Sequence, residues 1–137
     1  MIAATGGIST LQRDLSVGIE RQGVRLGSMV TVVVALGGSL LRPEVEERHD
    51  WLLELVSIVR DRVGVGDHLG LVVGGGAPAR EGIELASPII DDVDHLDMIG
   101  IAATRLNATI IREALADEGI PVSGSIPQGV SEAVESL

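Results

Sequence analysis

Apolar residues in this chain fall into two patterns that take turns: short unbroken runs, and longer stretches with an apolar position every three or four residues. Val30 to Leu36 is a run of the first kind and predicts a core strand, with Gly37-Gly38-Ser39 as the turn after it. Pro43-Glu44 then reads as the opening of a helix, on which Trp51, Leu52, Leu55, Val56, Val59 and Val63 share one face. Trp51 is therefore expected in the core. Gly64 and Gly66 close that helix, Leu69 to Val73 predicts a second strand, and Gly74-Gly75-Gly76 leads into a helix with Pro78 near its start. A further helix, from about Asp97 to Asp117, should bury Ile99, Ala103, Leu106, Ile110 and Ala114, and Ile120-Pro121-Val122 begins a third short strand. Strand and helix alternate throughout, so an α/β fold with a mostly parallel sheet flanked by helices is the economical architecture.

Residues 1 to 28 show no sustained period, and Met29 stands just before the first predicted strand. They are expected to be a disordered extension, or to precede a true start at Met29, leaving 29 to 137 as the folded part. At 137 residues there is room for one domain with a real core. No apolar run approaches the length of a membrane span, and no cysteine is present to form a disulfide or a thiolate metal site, which together fit a cytoplasmic protein. Twenty acidic residues stand against ten basic ones, every one an arginine, for a net charge of -10. Such a surface repels a nucleic-acid backbone and suits a salt-loving organism. A site for an anion must then draw its positive potential locally, from helix N-termini, from one or two arginines, or from a metal.

Both glycine turns fall at the C-terminal ends of predicted parallel strands, each just before a helix, which is where parallel sheets bind ligands. Without side chains, their N–H groups can approach phosphate oxygens, and the helix near Ala77 adds the positive end of its dipole. Arg80 supplies a permanent charge with a fork of donors. The same residues also suit two tight turns with Arg80 in solvent. The lysine-bearing phosphate loop GxxxxGK[ST] is missing, whereas Gly74-x-Gly76-x-x-Ala79 fits the relaxed dinucleotide fingerprint, although after the second strand instead of the first. Within Asp91-Asp92-Val93-Asp94-His95-Leu96-Asp97, an acidic helix entrance is the simpler account than a metal cluster. Asp97 is separable: at the mouth of a site its carboxylate suits the two hydroxyls of a ribose. His49, His68 and His95 have no shared spacing and read as surface residues. Thr104 and Asn107, like Arg105 and Arg112, are polar positions among helix apolars that serve either the site or an interface.

Taken together, VVVALGGSLL, LVVGGGAPARE and LDMIGIAATRLNATII resemble the amino acid kinase superfamily and, within it, the archaeal-type uridylate (UMP) kinases, from about Val30 onward. The glycine turns mark the superfamily; the run from Asp97 to Ala108 is the specific part. The resemblance implies a three-layer α/β/α sandwich, and transfer of the γ-phosphoryl of ATP, with Mg2+, to UMP in pyrimidine nucleotide biosynthesis. It implies Gly38 and Ser39 at the ATP phosphates, Gly75 at the UMP phosphate, Gly76 and Arg80 near the transferring group, and Asp97 at the UMP ribose. It also implies symmetric homo-oligomers, commonly hexamers. Two positions depart from the pattern: Ala35 stands where many members carry a lysine, and Ala77 where the archaeal type often does. The resemblance covers an N-terminal portion, so the chain alone is expected to be an incomplete kinase with little activity. The alternatives are an NAD(P)-binding Rossmann-like domain and a non-catalytic nucleotide-sensing or oligomerisation domain.

Overall fold

A computed structural model of the chain describes residues 1–5, 30–41 and 48–137. Among these, strands β1 (Ile2–Thr5), β2 (Thr31–Leu36) and β3 (His68–Val73) form one sheet in the order β1-β3-β2. The predicted strands β2 and β3 run parallel, with Val32 opposite Leu69 and Leu36 opposite Val73, while β1 pairs antiparallel to the other edge of β3. The sheet is thus mixed, one parallel and one antiparallel pair.

Side chains alternate across β3. Leu69, Leu71 and Val73 point into the core, where they meet Ile2 and Ala4 of β1 and helix α1 (Arg48–Gly64) through Val56, Val59 and Val63. The apolar face expected of α1 is the one it buries, with Trp51, Leu52 and Leu55 half-buried at its margin. Its predicted opening at Pro43-Glu44 lies outside the described residues. The chain leaves α1 through Gly66, whose φ of 95° suits glycine. On the opposite face of β3, a side chain at Gly70 would meet Met1, Val33 and Leu137, so the C-terminal residue after the short helix α4 (Val130–Glu135) lies over that face.

Helix α2 (Gly76–Ala86) follows β3 after two residues, and α3 (Val93–Asp117) packs along it: a side chain at Gly82 would lie 2.9 Å from Ile99. Asp92 caps α3, accepting from the Asp94 N–H at 2.9 Å, so the acidic stretch does serve as a helix entrance.

Four expectations need correction. Residues 2–5 are a paired strand with Ile2 fully buried, where an extension was expected; 6–29 lie outside the described residues. Strand β2 is an edge with Val33 and Val34 exposed, because no third strand pairs its outer side among the described residues. Residues 120–122 make only a single bridge, Val122 to Ala4, since Pro121 has no N–H to extend a ladder. On α3 the buried positions are Asn107, Ala108, Ile111 and Leu115, and Leu106 is 56% exposed. The buried stripe is rotated by one residue from the predicted one because a polar side chain, Asn107, occupies it.

Candidate functional site

The site begins with two strands that end side by side. Since β2 and β3 are parallel and Leu36 lies opposite Val73, the turns after them start level, and the Gly74 N–H donates to the Leu36 carbonyl at 3.0 Å. The first turn enters a 3-10 turn, Gly38–Leu41, closed by the Leu40 N–H on the Gly37 carbonyl. The second becomes the N-terminus of α2, whose Pro78 lies in the first turn, where a missing N–H costs no helical bond.

The two turns interlock through their backbones. A Cβ on Gly38 would lie 2.2 Å from the Gly74 oxygen, and one on Gly76 would lie 2.2 Å from the carbonyl carbon of Gly38. Gly76 also has φ +60°, which a side chain would strain independently. At Gly75 a Cβ would come 2.6 Å from the Ala79 Cβ of α2 and 2.9 Å from Thr104 Oγ1 of α3. Close packing, backbone on backbone at Gly38 and Gly76 and against side chains at Gly75, therefore accounts for these glycines before any ligand is considered.

Helix α3 holds the triplet from behind. Asn107, 1% exposed, donates from its amide nitrogen to the carbonyls of Gly74 (2.9 Å) and Gly75 (3.0 Å). Thr104, one turn earlier, donates to the Gly100 carbonyl at 2.9 Å. The spacing of Asp97, Gly100, Thr104 and Asn107 puts all four on one stripe of α3. Asp97, exposed, stands about 10 Å along the axis from Thr104. Arg80 and Ser39 are exposed as well, and Arg80 forms no ion pair with another described residue. The two turns thus meet at the C-terminal end of the parallel pair, with Thr104 and Asn107 of α3 behind the second of them.

The other polar positions of α3 have structural duties. Arg112 donates to the carbonyls of Ser123 and Gly124, each at 3.0 Å, and Arg105 bonds Gln128, so both tether the segment leading to α4. The α-amino group of Met1 is held below its usual pKa by burial, with the Arg105 charge adding to the effect. His49 and His95 are exposed, and His68 Nδ1 lies 2.5 Å from the Leu137 oxygen. No group of three or more His, Cys, Asp or Glu among the described residues is placed to hold a metal ion. None of their helices is long and apolar enough to cross a membrane.

Parallel strands that end in paired glycine turns and lead into helices define an α/β class, and residues 30–134 match the amino acid kinase family, to which the chain belongs. More particularly, it is similar to archaeal proteins named uridylate kinase. It is 38% identical to that of Methanospirillum hungatei over 68% of this chain and 38% of the relative. To that of Methanocaldococcus jannaschii it is 34% identical over 74% of this chain and 44% of the relative, and to that of Haloarcula marismortui 38% identical over 66% and 39%. The chain spans about two fifths of the length of these relatives. Family membership sets aside the Rossmann-type alternative raised by Gly74-x-Gly76-x-x-Ala79.

Proposed function

We propose that the chain carries the phosphate-binding end of a uridylate kinase, an enzyme that moves the γ-phosphoryl group of ATP to UMP and releases ADP and UDP. The observation that carries this reading is the interlocked pair of glycine turns, Gly37-Gly38 and Gly74-Gly75-Gly76, at adjacent parallel strand ends. Two phosphate-bearing substrates have to meet end to end, and two adjoining loops with bare backbone allow that.

In this account Gly38 and Ser39 face the ATP phosphates, Gly75 takes the UMP phosphate, and Gly76 lies near the transferring group. A UMP phosphate oxygen attacks the γ-phosphorus in line while the bond to the bridging oxygen of ADP breaks. Such a transfer depends on positioning and charge neutralisation more than on covalent help. Arg80, exposed at the second turn of α2, supplies a cation to the transferring group, and Asp97 accepts from the ribose hydroxyls. Magnesium finds no ready cage among the described residues, so the neutralisation available there comes from backbone N–H groups, the α2 dipole and Arg80. The archaeal relatives carrying the name uridylate kinase support UMP as acceptor over other monophosphates. We further propose that the enzyme works in the cytoplasm as a homo-oligomer.

Isothermal titration of the purified chain with UMP, CMP, AMP and NADH tests this. The expected result is saturable binding of UMP at least about tenfold tighter than of the others, a difference of about 1.4 kcal/mol. Preference for NADH, or equal weak binding of all four, would overturn it.

A further inference from the structure

The one fully buried polar side chain of α3 serves the glycine triplet. Asn107 has two amide protons, and both carbonyls they reach, Gly74 and Gly75, belong to the loop between β3 and α2. In a trans peptide the C=O and the next N–H point in opposite directions. Carbonyls drawn toward α3 therefore turn the N–H groups of Gly75 and Gly76 away from it, and the Gly76 nitrogen lies beside Gly38 of the first glycine turn. The backbone there is right-handed at Gly75 (φ -73°, ψ -32°) and has φ +60° at Gly76. A right-handed residue followed by a left-handed one is the arrangement in which successive N–H groups converge on an anion. The sequence has no lysine at position 77 to do this by charge.

From this geometry we infer that Asn107 is a positioning residue for the substrate phosphate: it touches no ligand, and acts by fixing the two peptide planes whose N–H groups receive the anion. This rests on the proposed UMP site. Neither aspartate nor alanine can replace it. Aspartate would set an acceptor against two carbonyl oxygens, and alanine would take the side-chain donor from both, leaving the Gly75 carbonyl only the 3.4 Å bond from the Ala79 N–H.

The test compares the unmodified chain with Asn107→Asp and Asn107→Ala by NMR titration with UMP and with uridine, which lacks the phosphate. Expected is a loss of about tenfold or more in UMP affinity with uridine affinity held, since only the phosphate reads the N–H array. Parallel loss of both ligands would mean general damage to the fold and would overturn the inference, as would unchanged UMP affinity in a folded variant. Two measurements on the unmodified chain keep the question decidable if neither variant folds. The Asn107 amide protons should exchange slowly and the amides of Gly75 and Gly76 should shift with inorganic phosphate; rapid exchange of the former, or no shift in the latter, contradicts the assignment. Failure of the unmodified chain to bind UMP while phosphate still moves Gly75 and Gly76 would count against the uridylate reading and leave the role of Asn107 standing.

Discussion

At the scale of single residues, Gly76 and Gly119 separate two reasons for being glycine. Both have positive φ, +60° and +73°, but a Cβ on Gly119 would meet nothing within 4 Å, whereas one on Gly76 would collide with the backbone of Gly38. Gly119→Ala should cost about 1–2 kcal/mol, the conformational penalty alone. Gly76→Ala carries the same penalty plus displacement of a neighbouring turn, and should cost at least about 2 kcal/mol more, read from urea midpoints. Equal losses would mean that the two turns do not interlock. The glycine triplet was conspicuous in the sequence, and its position at a strand end was legible from the run before it. Its immediate reason was not, because the turn it packs against lies 36 residues earlier and no local pattern links Gly38 to Gly74. Asn107 was visible as a polar residue among apolar ones, yet only its two carbonyl partners show that it faces inward.

At the scale of elements, helix α3 shows how one polar side chain misleads a periodicity argument. Counting only apolar residues selects Leu106 and Ile110, whereas the stripe that meets the sheet contains Asn107, Ala108, Ile111 and Leu115. Ile111, fully buried, should lose about 2–5 kcal/mol on substitution by alanine, and Ile110, 39% exposed, about 1 kcal/mol or less. The reverse order in thermal or urea unfolding would restore the predicted face. Asp92→Ala, which removes the acceptor for the Asp94 N–H, should cost about 1 kcal/mol. Helix α1, by contrast, was fully legible in its apolar face, because every inward position from Trp51 to Val63 is apolar. Strand β1 was missed for the opposite reason: four residues are too few to show a period, and only pairing with β3 identifies them.

At the scale of the whole molecule, the alternation of strands and helices was enough to read an α/β fold, and the parallel β2–β3 pair bears it out. The antiparallel β1 at the other edge was beyond reach, since direction depends on contacts far apart in the chain. The same parallel pair aligns the two glycine turns, so the candidate site follows from topology more than from any one motif. Its acidic surroundings sharpen the claim: a chain of net charge -10 has little general attraction for a nucleotide, and whatever holds the phosphate must be local. The most direct measurement is therefore a UMP titration of the 15N-labelled chain, followed at each backbone amide. The account predicts saturable shifts centred on Gly75, Gly76 and Ala77, with a second set near Asp97. Binding whose shifts avoid those residues, or no response to UMP at millimolar concentration, would contradict it.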